Sequence, residues 1–209
     1  MKFSVIMPSL LADYPGAAVN RHKTLIRAVE SVLAQSFQDF ELIVVADGCE
    51  LTRHIMKTNY DDNPKIKYGI VPRAALFSNG ARNFGIDTAE GEYIIYIDND
   101  DKWGPDHLKI FNDQISGEDW VYADDWTVDQ VLLRDSGEVS WIRRDTDVTQ
   151  YGKCGTSNIC HARRLDLRWK EAGYGHDYHF IQQLLKFPNH KHIEAGQYYV
   201  CHFHGGYKV

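Results

Sequence analysis

The run Tyr93-Ile94-Ile95-Tyr96-Ile97 is apolar on both of its alternating faces and leads straight into Asp98, Asp100 and Asp101. A strand of this kind has to be covered on both sides, the situation of a buried strand in a parallel or mixed sheet. Open α/β sheets place their ligands at the carboxy ends of such strands. Three like charges crowded there repel one another unless a cation or a solvated loop relieves them. Hard carboxylate oxygens suit Mg2+ or Mn2+. Asp and Asn are also ordinary turn residues, so an acidic turn that only ends the strand is the plain alternative.

The segments before this run alternate. Phe3 to Met7 reads as a short strand stopped by Pro8, which cannot donate to a ladder. A loop containing Pro15-Gly16 leads to a helix from Arg21 to Phe37, with Leu25, Ile26, Val29, Val32 and Leu33 at helical spacing. Phe40 to Ala46 is a second strand, ending in Asp47-Gly48. Glu50 to Tyr60 is helical, Ile66 to Val71 is a third strand closing at Pro72, and Asn79 to Ala89 is a helix with Gly91 just beyond it. Pro105 opens another helix that carries Leu108, Phe111 and Ile115 on one face. This β-α-β-α-β order predicts an α/β fold, a mixed, mainly parallel sheet flanked by helices in a single domain.

Beyond residue 115 the pattern loosens. Trp120 to Ala123 reads as a strand ending in Asp124-Asp125, so three strands end in acid and, as parallel neighbours, would gather those acids on one rim. Gln130 to Leu133 and Glu138 to Ile142 read as a hairpin around Asp135-Ser136-Gly137. Tyr151 to Thr156 is a glycine-containing loop, Ser157 to Ala162 a short strand, and Asp177 to Phe187 a helix with Asp177 near its N-cap. Gln197 to Phe203 reads as a strand placing His202 and His204 on one face, a spacing that can hold a metal. With ten histidines in the chain, an accidental pair is the alternative. Trp120, Trp126, Trp141, Tyr151, Trp169 and Tyr174 suit stacking on sugar faces or, more simply, core and rim packing.

Composition narrows the function classes. A formal charge of −6 argues against a broad nucleic-acid-binding surface. The four cysteines form no Cys-x-x-Cys pair, so neither a zinc site nor a disulfide framework is indicated and reduced thiols are expected. No segment reaches membrane-spanning length, and the expectation is a soluble, cytoplasmic protein with room for peripheral membrane association. No Gly-x-x-x-x-Gly-Lys loop is present, and no Gly-x-Gly-x-x-Gly follows the first strand, which disfavours P-loop hydrolases and dinucleotide dehydrogenases.

The motifs carry a family resemblance. Phe3 to Pro8, then Ala28 to Phe37, Phe40 to Gly48, Asn79 to Ile86 and Ala89 to Asp101 resemble, in order and spacing, the first 115 residues or so of family-2 glycosyltransferases. The resemblance implies a GT-A fold, a nucleotide-sugar donor (UDP-sugar foremost), a hydroxyl-bearing acceptor such as a glycan, a divalent ion (Mn2+ or Mg2+) at an Asp-x-Asp motif, and a role in glycan or polysaccharide synthesis. Residues 1–115 would then form the donor half and 116–209 the acceptor half.

Position by position, the resemblance assigns Asp47 to the nucleoside and Asp98 to the ribose and metal. It assigns Asp100 to the metal against the diphosphate, and Pro8 and Ser9 to the turn bordering the base. Arg82 matches a commonly basic position near the nucleotide; by itself it could equally be a surface helix residue. A C-terminal histidine ligand in some GT-A enzymes points to His202 as a third metal ligand. The family's Glu-Asp pair before the acceptor-side helix corresponds to His176-Asp177, making Asp177 the expected base and His176 the second choice. A nucleotidyltransferase and a non-catalytic nucleotide-sugar or glycan-binding module are the rival readings. The first lacks its glycine-rich basic signature after the first strand, where Ser9-Leu10-Leu11-Ala12 stands.

Overall fold

The computed structural model describes residues 1–12, 20–74, 77–170, 173 and 175–201, with backbone alone at 130, 131 and 134. The elements are β1 (Phe3–Ser9), α1 (Arg21–Leu33), β2 (Phe40–Asp47), α2 (Glu50–Tyr60), β3 (Ile66–Val71), α3 (Asn79–Thr88), β4 (Tyr93–Tyr96) and β5 (Lys102–Trp103). Then follow α4 (His107–Gln114), β6 (Trp120–Val128), α5 (Gln130–Ser136), β7 (Trp141–Arg144), β8 (Ile159–Ala162), α6 (His176–Leu184) and β9 (His190–Val200). One mixed sheet runs β3-β2-β1-β4-β8-β6-β9-β5, with β7 paired to β6. The first four strands are parallel, as are β6 and β9, and the β1–β2, β2–β3 and β6–β9 ladders carry the longest registers. Because β8 is antiparallel to both β4 and β6, β6 runs in the same sense as β4.

Alternation in β1 explains how both faces are covered. Phe3, Val5 and Met7 pack with Leu25, Val29 and Val32 of α1 on one face. Ile6 joins Ile94, Tyr96 and Ile86 on the other, where Trp169 and Phe180 stack at 4.0 Å and 4°. At the amino ends of the strands lies a buried polar knot. Ser4 Oγ donates to Glu41 (2.6 Å), Glu90 N donates to the same oxygen (2.7 Å), and Lys67 pairs with Glu41 at 2.7 Å. Burial pushes the Glu41 carboxyl up, but Lys67, Ser4 and the Glu90 amide outweigh it and hold it below its ordinary value.

Four sequence expectations are corrected. Pro8 does not stop β1, which continues to Ser9 beside Ala46. Lys2 and Ile6 turn their carbonyls to Tyr93 and Ile97, so by alternation Pro8 presents its missing N–H past the end of β4, where no ladder bond is needed. The expected hairpin over 130–142 is a helix, α5, entered through Asp129, whose side chain accepts from Leu132 N, and closed by Gly137 at φ +75°. Its strand β7 pairs with β6 instead. Asp124 and Asp125 do not end their strand: β6 runs on to Val128, because both charges are matched inside the sheet. Arg144 grips Asp125 with two guanidinium nitrogens, and Asp124 accepts from Thr146 N (2.9 Å) and lies 2.7 Å from His192 Nε2. The last strand begins at His190, and 202–204, with both candidate metal-binding histidines, lie outside the described residues.

Two buried histidines make the fold acid-sensitive. His107 is fully buried, stacks near Trp103 and accepts from Gln197 N at 2.9 Å; burial pushes its imidazole down to about 3. Burial takes His161, bonded to Tyr96 Oη, down to about 4. The unfolded chain binds these protons near pH 6.5 and the folded one resists them, so stability is full above that pH and falls with acid. Urea denaturation between pH 6.5 and 4.5 should show wild type losing about 1.4 kcal/mol per pH unit more than His107→Phe. Parallel slopes would refute the assignment.

Candidate active site

The strand order 3-2-1-4 places a topological switch between β1 and β4, where consecutive connections leave to opposite sides and open a crevice at the carboxy ends. A cleft of about 690 Å3 lies there. Its walls bring together Pro8, Asp47, Arg82, Asp98, Asp100 and Asp177, residues 169 positions apart at the extremes. Asp47, at the end of β2, is buried and accepts from Ala74 N (2.7 Å) and Ser78 Oγ (2.8 Å), fixing the loop on that side. Ser9 is buried beside the cleft. Its hydroxyl lies 2.9 Å from Thr52 Oγ1 and accepts from Asn99 Nδ2 at 3.0 Å, tying β1 to the acidic loop.

The acidic loop divides into three roles. Asp101 is buried; Tyr198 Oη and Cys201 N both donate to it at 2.7 Å, so it ties the loop to the end of β9. Asp100 is half-buried, Arg27 holds its backbone carbonyl, and its carboxylate has no hydrogen-bond partner among the described residues. Asp98 keeps 40% of its side chain exposed, with Arg82 Nη2 at 3.4 Å and Ser157 Oγ at 3.5 Å. Desolvation raises its pKa, with Asp100 and Asp177 adding to the rise and Arg82 opposing it. Arg82 is therefore no surface residue: it is buried, bonds the Phe77 carbonyl and lies 5.0 Å over the Trp169 ring.

These residues suit a divalent ion in chemistry. Asp98 and Asp100 are hard oxygen donors whose mutual repulsion a cation would offset. Among the described residues no group of three ligating side chains gathers, so phosphate oxygens, water or residues beyond those described would have to complete the shell of an ion held by Asp98 and Asp100.

Asp177, which also lines the cleft, sits in the first turn of α6. Its Oδ1 accepts from Thr156 Oγ1 and lies 3.2 Å from His176 Nε2. Burial pushes this carboxyl up, but His176, Arg82 and Thr156 together hold it below the usual carboxylate range. A family profile described as glycosyl transferase family 2 matches residues 17–180. The chain belongs to glycosyl transferase family 2.

Relatives agree. A putative colanic acid biosynthesis glycosyl transferase, WcaA of Escherichia coli K12, is 35% identical over 115 residues, covering 51% of this chain and 39% of its own length. A GalNAc(5)-diNAcBac-PP-undecaprenol beta-1,3-glucosyltransferase of Campylobacter jejuni is 32% identical over 102 residues, 48% of this chain and 30% of its own length. The chain thus spans less than two fifths of the length of these relatives. In three dimensions it resembles S. aureus TarS 1-349 in complex with UDP, with TM-score 0.71 at 18% identity over 96% of this chain and 60% of TarS 1-349. The UDP-GlcNAc complex of the same protein gives 0.70 at 18% identity, covering 96% and 58%. The GT-A fold expected from the resemblance is the fold observed.

The motifs that carry the family-2 resemblance account for Pro8, Asp47, Arg82, Asp98 and Asp100 in the cleft. Asp125, expected as a strand-end acid, also lines it, as do Thr156, Phe77, Asn158 and Arg144, which no sequence pattern singled out individually. Arg144 was within reach only by pairing β7 with β6, which sets it opposite Asp125.

Proposed function

We propose that this chain is the catalytic domain of a metal-dependent, inverting glycosyltransferase. It would move a sugar from a nucleotide-diphosphate sugar, a UDP-sugar foremost, to an acceptor hydroxyl in cytoplasmic glycan or polysaccharide synthesis. The observation that carries this reading is that Asp98 and Asp177 line one cleft at the sheet's switch point, near enough for the charge of Asp177 to act on Asp98. Two acids so placed suit the two ends of a single displacement, and TarS, of the same fold, is described in complex with UDP and UDP-GlcNAc.

In this reading Asp47, Pro8 and the Ser9 backbone border the nucleoside, and Arg82 balances charge near the diphosphate. Asp98 and Asp100 hold Mn2+ or Mg2+, and His202, which directly follows the anchored Cys201, is the further ligand. The ion supplies charge stabilisation for the departing diphosphate. Asp177 takes the proton from the acceptor hydroxyl as that oxygen forms a bond to the anomeric carbon. The bond from that carbon to the phosphate oxygen breaks on the opposite face, and the configuration inverts.

The test is a panel of UDP-, GDP- and dTDP-sugars incubated with the protein and Mn2+, reading the released phosphates and, by calorimetry, binding. Nucleoside diphosphate release that EDTA stops is expected. Asp100→Ala should lower it about a hundredfold, the scale of charge stabilisation a metal provides. In a parallel incubation with nucleoside triphosphates and sugar 1-phosphates, pyrophosphate release would identify a nucleotidyltransferase, and tight binding of the nucleotide sugars without turnover across acceptors would identify a binding module.

A further inference from the structure

His176 stands out because its imidazole is enclosed beside Asp177. The ring stacks on Phe77 (4.8 Å, 17°) and leans on Trp169 (6.0 Å, 51°), with 12% of the side chain exposed. Nε2 lies 3.2 Å from Asp177 Oδ1, while Nδ1 is buried without a partner among the described residues. Neither nitrogen offers a lone pair to a substrate, so the ring is badly placed to act as the base itself. The turn before it is equally constrained. Gly175 takes φ +105°, and a Cβ there would sit 2.6 Å from Tyr151 Oη, so the entry to α6 has one geometry.

We propose that His176 is the positioning residue of the transfer reaction: its Nε2–H and the Thr156 hydroxyl both donate to Asp177 Oδ1, leaving Oδ2 as the oxygen that meets the acceptor hydroxyl. The carboxylate fixes the imidazole proton on Nε2, because a bare Nε2 would set two lone pairs against each other. Asp177 Oδ2 has no hydrogen-bond partner among the described residues, so one oxygen is held and the other is available. The stack on Phe77 and the tilted contact with Trp169 restrict the imidazole, and a carboxylate bonded twice at one oxygen has a preferred direction for the other. The inference rests on Asp177 as the base.

Two measurements test it. Long-range 1H–15N correlation spectra, with the His176 signals assigned by their loss in His176→Gln, should show a proton on Nε2; the Nδ1–H tautomer would overturn the proposal without any need for turnover. The second compares nucleoside diphosphate release by wild type, His176→Phe, His176→Gln and Asp177→Asn on the same nucleotide-sugar panel. Phe keeps the stack and removes the donor, and is expected to lower kcat about tenfold with the donor KM unchanged. Gln restores an N–H near the Nε2 position and should recover most of that loss. Equal rates for Phe and Gln, or an effect confined to KM, would overturn the positioning role. Full activity in Asp177→Asn would instead remove the base assignment, and the inference with it, so the two failures are distinct. Should the Phe variant melt early, the tautomer measurement on the wild type still decides.

Discussion

Replacing Asp177 by Asn is expected to lower kcat for sugar transfer about a thousandfold, within the 10²–10⁴ range of a lost general base. The substitution nearly preserves shape. An amide oxygen can still accept from Thr156 Oγ1 and His176 Nε2, the two groups that hold Asp177 Oδ1. What it cannot do is take up a proton at neutral pH. Asp98 and Asp100 are left in place, so the affinity for the nucleotide sugar of the panel that binds, measured by calorimetry, should stay within about threefold of wild type. A split of that kind, kcat lost and binding kept, is what removal of a transition-state interaction produces. Activity within tenfold of wild type would show that the proton leaves by another route.

The part of the cleft built by β1, β2 and β4 was legible in the sequence because its signals are local. Each of these strands announces itself by an apolar run, and Asp47 and Asp98, which end or follow β2 and β4, fall at carboxy ends because parallel strands joined through helices place those ends on one rim. The part built from the second half of the chain was less so, since its geometry depends on long-range pairing. Asp124 and Asp125 look like another strand end until Arg144 and Thr146, nineteen and twenty-two residues on, are seen to satisfy them within the sheet. The α5 segment shows the same limit from the other side. Asp135-Ser136-Gly137 is a fair hairpin signal, yet Asp129 caps a helix turn and Gly137 closes it, so local capping won over the turn reading. Arg82 needed the third dimension too. On a helical wheel nothing separates it from a solvated basic residue, and only Asp98, the Phe77 carbonyl and the Trp169 face explain its burial.

The floor of the sheet, opposite the cleft, carries the largest expected effect on stability. Gly91 precedes β4 and packs against the first strand so closely that an added Cβ would lie 2.5 Å from Ser4 N and 2.6 Å from the Phe3 carbonyl carbon. Those atoms are backbone of a central strand hydrogen-bonded on both sides, and no rotamer can move them. Any shift would also strain the bond from Gly91 N to Ser4 Oγ (2.8 Å) and, through that hydroxyl, the buried Glu41–Lys67 pair. Gly91→Ala should therefore cost about 3 kcal/mol, the upper range for overpacking a core, read as a lower urea midpoint at an unchanged slope. Gly80→Ala is the counterpart. A Cβ there meets nothing within 4 Å and lies in the first turn of α3, so it should gain up to about 1 kcal/mol from helix propensity alone. Gly80 lies open in a helix and Gly91 is walled in outside one, so opposite signs are expected. A Gly91→Ala protein within 1 kcal/mol of wild type would mean that β1 and β4 are not seated against each other as closely as the register implies.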